Sequence, residues 1–244
     1  MIYPVQLLRS LVFNICMYVA MLPFGIGFLP WAKFSRRGAR MAARSYCKFV
    51  IWMARWMIGL KVEYRGEIPQ DEVLIAAKHQ SFFDVICIFG AVPAGKFIMK
   101  AELRFAPIVG QYGLMIGCIP VNRGKRTQAI KKMVVDVAAG RADPGQLIIY
   151  PQGTRTAPGV VRPYKVGTGV LYQELQQDCV PVALNVGVFW PKRGILRKPG
   201  QVVVEFLPRI KAGKPIDVFM AELEQAVETR SNELMAAAGF VFPK

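Results

Sequence analysis

The sequence predicts an α/β fold: a layered mixed sheet with flanking helices, preceded by an N-terminal helical membrane-anchoring segment. Three observations predict it. Strand-type and helix-type patterns alternate along the chain after Lys61. No charged residue occurs between Ser10 and Ala32. The boundary between these two characters falls near Leu60, dividing the chain into an attachment segment (1–60) and a body (61–244).

The run Leu11 to Pro30 is long enough to cross a hydrocarbon core, which takes roughly 20 apolar residues. Pro23, Gly25, Gly27 and Pro30 interrupt its second half, which favours a deeply inserted bent hairpin over a straight span. Only Arg9 precedes it and no small-residue cleavage pattern follows, so a removable signal peptide is not expected. A basic cluster comes next: Lys33, Arg36, Arg37, Arg40, Arg44 and Lys48. Beside an apolar run this reads as a signal for an anionic membrane surface, and for a spanning run it places the body in the cytoplasm. From Ala42 to Leu60, Trp52, Trp56 and other apolar residues interleave with Arg44, Lys48 and Arg55, the pattern of an amphipathic interfacial helix.

In the body, KVEYRG and EVLIAAK read as strands, SFFDVICIFGAV as a helix and KFIMK as a strand. A short helical stretch over AELRFAPIVGQYG precedes the strand MIGCIPV and the helix RTQAIKKMVVDVAAG. QLIIYPQ is a strand, KVGTGVLYQELQQ a helix, VPVALNVGV and QVVVEFLP strands, and the last helix begins at Ile216 and ends at Gly239.

With 32 Lys and Arg against 16 Asp and Glu, the net charge is +16, so anionic partners are expected. Mean hydropathy of +0.30 is high for a water-soluble chain, yet 20% of residues are charged, which excludes a polytopic bundle. Nucleic acid is not an expected partner, because no aromatic-interleaved basic groove or known motif occurs. The five cysteines stand singly, without C-x-x-C pairs, so neither a disulfide framework nor a zinc site is expected.

His79 is the single histidine, at the end of one predicted strand and ahead of a predicted helix, with Asp84 five residues on. On one continuous helix five residues make about 500° of rotation and leave the two side chains roughly 140° apart. They meet only if His79 lies in the loop and Asp84 in the first helical turn. Ser81 as N-cap with Asp84 three residues later fits that arrangement. Asp84 would then accept the Nδ1 proton and leave Nε2 as a base. The plainer reading is a helix start beside a structural histidine. Arg123 after GCIPV, and Gly153, Thr154 and Arg155 after QLIIY, also stand at strand ends, where open α/β sheets gather ligand contacts. Arginine presents a planar donor fork suited to phosphate.

At these residues the sequence resembles the 1-acylglycerol-3-phosphate acyltransferases among the glycerolipid acyltransferases. H-x-x-x-x-D appears as His79 to Asp84, G-x-I-x-x-x-R as Gly117, Ile119 and Arg123, and E-G-T-R as Gln152, Gly153, Thr154 and Arg155. V-P-V-A-L is Val180 to Leu184, and Lys100, Leu103, Pro107 and Gly110 look like the inter-block pattern. The resemblance covers roughly Lys61 to Phe206. It implies that His79 and Asp84 activate an acceptor hydroxyl, while Lys100, Arg123 and the segment from Gln152 to Arg155 bind substrate. It further implies a donor thioester on coenzyme A or acyl carrier protein, lysophosphatidate as acceptor, and phosphatidic acid as product. No metal or tightly bound cofactor is implied. An N-terminal two-helix attachment, holding the enzyme at the inner or cytoplasmic membrane with its site facing the cytoplasm, is also implied. Gln152 departs from the family's Glu, so an acceptor such as lyso-ornithine lipid, another lysophospholipid or glycerol 3-phosphate stays open. A non-catalytic basic membrane-binding protein is the reading from another class.

Overall fold

Strand residues alternate between two different cores, and that alternation fixes the architecture. In the computed structural model, which describes residues 3–121, 135 and 145–243, Ile75 and Ala77 point into one apolar cluster while Leu74 and Ala76 point into the other. A strand buried on both faces belongs to a sheet covered on both sides, and seven strands form it.

Helices α1 (Tyr3–Gly27), α2 (Leu29–Phe34) and α3 (Arg36–Met53) open the chain, and α3 continues as a π-helical turn from Ala54 to Ile58. Strands β1 (Leu60–Arg65) and β2 (Leu74–Ala77), helix α4 (Phe83–Ala91) and strand β3 (Lys96–Lys100) follow. After a 3₁₀ turn come α5 (Val109–Ile116), β4 (Ile119–Val121) and β5 (Leu147–Ile149). The chain closes with α6 (Gly167–Leu175), β6 (Cys179–Leu184), α7 (Val186–Phe189), β7 (Gly200–Phe206) and α8 (Ile216–Ala237). The sheet order is β1-β7-β6-β2-β5-β3-β4, and every neighbouring pair is parallel except β6 with β7. The sheet is mixed with flanking helices, as the alternation predicts.

One face carries α6 and α8, where Tyr172 and Phe219 stack with ring centroids 3.7 Å apart. The other carries α4, with α3 lying across it and α1 against α3. Phe13 and Met17 of α1 share one core with Val73, Ile148 and Val204, so the first 60 residues have no separate core among the described residues. The docked face of α1 is mixed, with Gln6 and Ser10 buried beside Phe13 and Met17. Gln6 Nε2 donates to the carbonyls of Ile58 (3.1 Å) and Arg197 (2.8 Å), and Asn14 Nδ2 donates to Ile195 O (3.2 Å). Ser10 Oγ accepts from Arg197 N at 2.9 Å. Leu8, Leu11, Val12, Ile15, Val19, Leu22 and Ile26 on the other side are exposed. Large apolar residues outward, with polar ones buried among the inward residues, depart from the pattern of a water-facing helix. The helix also runs unbroken through Pro23, and the chain reverses after Gly27. Gly25 is required where α1 meets the start of α5, since a Cβ there would stand 2.8 Å from Ile108 Cγ2.

Two element boundaries differ from the sequence reading. MIGCIPV is a strand only over Ile119–Val121, because α5 runs on to Ile116 and Gly117 terminates it in the left-handed region at φ +94°. VPVALNVGV leaves the sheet at Leu184, where Asn185 turns inward. Its Oδ1 accepts from Val203 N at 2.8 Å and its Nδ2 donates to Leu234 O at 3.3 Å. Of the helix expected over 126–140, only Val135 is described, and it is helical.

Candidate active site

The parallel strands β2, β5, β3 and β4 deliver their C-terminal ends to one edge of the sheet, so the segments that follow them are neighbours. His79 follows β2 in the loop ahead of α4, and Asp84 sits in that helix's first turn. This is the one arrangement that lets residues five apart touch. His79 Nδ1 lies 3.0 Å from Asp84 Oδ2. The same oxygen accepts from the backbone amides of Gln80 (2.6 Å) and Ser81 (2.7 Å). An oxygen already receiving two N–H groups is an acceptor for the third nitrogen as well, so this arrangement favours the tautomer of the neutral ring with its proton on Nδ1 and its lone pair on Nε2. The carboxylate is fully buried at a helix N-terminus, where the backbone dipoles favour negative charge, whereas the imidazole keeps 16% exposure.

Ser81 Oγ accepts only from Phe83 N, at 3.3 Å, and the helix begins one residue later than a Ser81 cap would place it. Half of the capping box is therefore present: Asp84 reaches back to Ser81 N.

Tyr150, at the end of β5, stacks on His79 with ring centroids 3.9 Å apart and planes 20° from parallel. Burial, reinforced by the Asp84 charge, holds its phenol well above the usual tyrosine range, so it stays protonated. From Tyr150 the chain turns sharply, Gly153 N donating to Tyr150 O at 2.8 Å and Gly153 adopting φ +66°. Thr156 N then donates to His79 O at 2.7 Å, joining the turn to the histidine's own backbone. Gly153 is exposed, Thr154 and Arg155 are half-buried, and Arg155 Nη1 reaches Lys192 O at 3.4 Å.

The remaining expected site residues fare differently. Lys100 is exposed at the end of β3, two strands from β2 and hence about 10 Å from it by strand spacing. Arg123 lies outside the described residues. Gln152 turns away from the edge: it is 3% exposed and its amide nitrogen faces Glu228 Oε1 at 3.4 Å. The same carboxylate accepts from Lys78 Nζ (2.5 Å) and from the Tyr164 hydroxyl (3.0 Å). Tyr150, Lys78 and Glu228 had escaped notice in the sequence. Tyr150 was legible as the strand residue leading into PQGTR, and Lys78 as a cation in an apolar strand that must find an acid. Nothing marked Glu228 among the acids of the last helix. Among the described residues no three His, Cys, Asp or Glu side chains gather as a metal would require.

A histidine–carboxylate pair stands at the carboxyl edge of this α/β sheet, and residues 59–185, more than half of the 244, match the acyltransferase family model. The chain belongs to that family. It is 27% identical over 237 residues to the 1-acyl-sn-glycerol-3-phosphate acyltransferase of Pseudomonas aeruginosa, covering 95% of this chain and 92% of that one. The Saccharomyces cerevisiae 1-acyl-sn-glycerol-3-phosphate acyltransferase is 25% identical over 191 residues, covering 75% of this chain and 63% of its own. In fold, the chain is similar to the crystal structure of PlsC, the 1-acyl-sn-glycerophosphate acyltransferase of Thermotoga maritima. The TM-score is 0.79 at 21% identity, covering 95% of this chain and 97% of that one.

Proposed function

We propose that this acyltransferase moves an acyl group from a thioester, on coenzyme A or acyl carrier protein, to the sn-2 hydroxyl of 1-acylglycerol 3-phosphate, giving phosphatidic acid. The observation that carries this reading is the His79–Asp84 pair, whose shared oxygen is held by two backbone amides. Nε2 takes the acceptor hydroxyl proton as the oxygen attacks the thioester carbonyl. The tetrahedral oxyanion collapses, the C–S bond breaks, and the imidazolium returns the proton to the thiolate. No acyl-enzyme is needed. Backbone amides of the turn at Gly153 are suited to the oxyanion, and Arg155 with Arg123, assisted by Lys100 and Thr154, to the acceptor's phosphate. The Pseudomonas relative, matched over nearly its whole length, supports the choice of acceptor. Gln152 in place of Glu does not argue for another acceptor, because its side chain is turned inward to Glu228.

The outward apolar side of α1 is consistent with membrane association. Docking of α1 along its length, from Gln6 to Gly25, supports a helix lying in the cytoplasmic face of the bilayer and not crossing it. The test is acyl transfer by the purified full chain in detergent, with acyl-coenzyme A and acyl carrier protein donors and a panel of lysolipid acceptors. Phosphatidic acid should be the main product and His79→Ala should lower turnover by about 100-fold or more. Equal turnover with lysolipids lacking a phosphate monoester would overturn the assignment of the acceptor.

A further inference from the structure

Behind the candidate site, one carboxylate ties together side chains from three segments whose backbones are already linked by the Thr156–His79 and Lys165–Pro151 bonds. Glu228 lies on α8, the helix farthest along the chain from His79. Its Oε2 receives Lys78 Nζ at 2.5 Å, and its Oε1 receives the Tyr164 hydroxyl at 3.0 Å and the Gln152 amide at 3.4 Å. Lys78 is the residue before His79, and Gln152 is the residue before Gly153. Tyr164 ends the segment that leads from the Gly153–Arg155 turn into α6.

The electrostatics are closed. Lys78 is 2% exposed and Gln152 is 3% exposed, whereas Glu228 keeps a route to water at 24%. A buried ammonium requires an anion close by, and Glu228 is the one acid bonded to it among the described residues. Tyr164, held protonated by burial and by the Glu228 charge, can only donate to that carboxylate. With one cation and one anion present, an amide fits at position 152. A carboxylate there would face a second carboxylate at the same 3.4 Å, with Lys78 the one cation bonded to the pair among the described residues.

We infer that Glu228 is a positioning residue for acyl transfer, fixing the His79 loop against the Gly153–Arg155 turn through Lys78 and Gln152. The inference rests on the function proposed above. It assigns Glu228 no contact with substrate. Its effect is on geometry: a displacement of about 1 Å between a base and the groups orienting its substrate costs on the order of 100-fold in rate.

The experiment exchanges the two side chains in the full-length protein. Glu228→Gln leaves Lys78 without its anion, and Gln152→Glu adds a surplus one, so each single variant should lose about 30- to 100-fold in kcat/KM for the acceptor. The KM for the acyl donor should stay near wild type. The double variant Q152E/E228Q again has one carboxylate and one amide at the two facing positions, so the cluster regains a single counter-charge for Lys78, and it should recover to within about fivefold of wild type. A purely structural carboxylate on α8 would not be replaceable from the Gly153 turn. A double variant no more active than the worse single, with all proteins folded by circular dichroism, overturns the inference. So does Glu228→Gln with wild-type kinetics. Thermal unfolding of the same four proteins reads the coupling between positions 152 and 228 without any assay, and additive shifts would equally overturn it. If wild type itself transfers nothing to 1-acylglycerol 3-phosphate, the proposed function has failed, and the unfolding cycle alone decides the network.

Discussion

Replacing Asp84 by asparagine tests the site at its most constrained atom. Oδ2 is the acceptor for three N–H groups, at 2.6, 2.7 and 3.0 Å. An asparagine that turned its NH₂ toward them would set a donor against three donors, so its oxygen must stay in place. The histidine tautomer is therefore preserved and only the charge is lost. Each of the three bonds weakens by about 1 kcal/mol when the acceptor becomes neutral, while relief from burying an anion opposes that loss. Net stability should change by less than about 2 kcal/mol. The rate falls for a separate reason: the imidazolium formed during transfer loses its counter-charge. Two unit charges about 4 Å apart at an effective dielectric constant near 20 interact by roughly 4 kcal/mol. With the proton about half transferred at the transition state, the loss is about 2 kcal/mol, or roughly 30-fold in kcat. Where an amide imposes the wrong tautomer the loss is nearer 10⁴-fold. Because His79 is the single histidine, ¹⁵N NMR of the imidazole reads its tautomer without overlap. A loss approaching 10⁴-fold, or a proton on Nε2 in folded Asp84→Asn, would refute the locked-oxygen argument.

Tyr150→Phe keeps the ring on His79 and removes a hydroxyl that has no partner among the described residues, so activity should stay within about threefold. Tyr150→Ala should cost 3 kcal/mol or more of stability, measured by thermal unfolding, and a large part of kcat. Gly153→Ala forces an L-residue to φ +66°, costing about 1–2 kcal/mol, and should slow transfer more than it lowers the melting temperature. In the anchor, Phe13→Ala should destabilise by about 3–5 kcal/mol because Phe13 is buried edge-on against Trp190. Leu11→Ser with Ile15→Ser, on the exposed side, should spare stability in detergent and weaken vesicle binding in flotation assays.

Removing the first 59 residues should expose part of the body's core, although the boundary near Leu60 divides the chain there by sequence character. Trp190 meets Phe13 of α1 edge-on and stacks on Phe83, the residue before Asp84, so truncation uncovers a ring that packs on the helix carrying the acid. The sequence did not show this because an uncharged run reads as lipid-facing on all sides. Gln6, Ser10 and Asn14, spaced at four residues, were the mark of a docked face within it. The His79–Asp84 pair was legible for the opposite reason: its geometry is local, five residues in one loop and one helical turn. The strands were equally legible where alternation ran uninterrupted, as in Leu74 to Ala77. Sequence alone could not show that Gln152 turns inward, since the carboxylate that draws it stands 76 positions away.

The docking of α1 also has a consequence in time. Gln6 bonds to a carbonyl 191 positions later, and Ser10 to one 187 positions later. At about 5–20 residues per second of synthesis, roughly 10–40 s separate the emergence of α1 from that of its partner loop. Gln6 can meet the Ile58 carbonyl earlier, 52 positions on, but its bond to Arg197 and that of Ser10 must wait for the whole interval. Seating of α1 is thus completed only once the loop around Arg197 has been made, late in the synthesis of the chain.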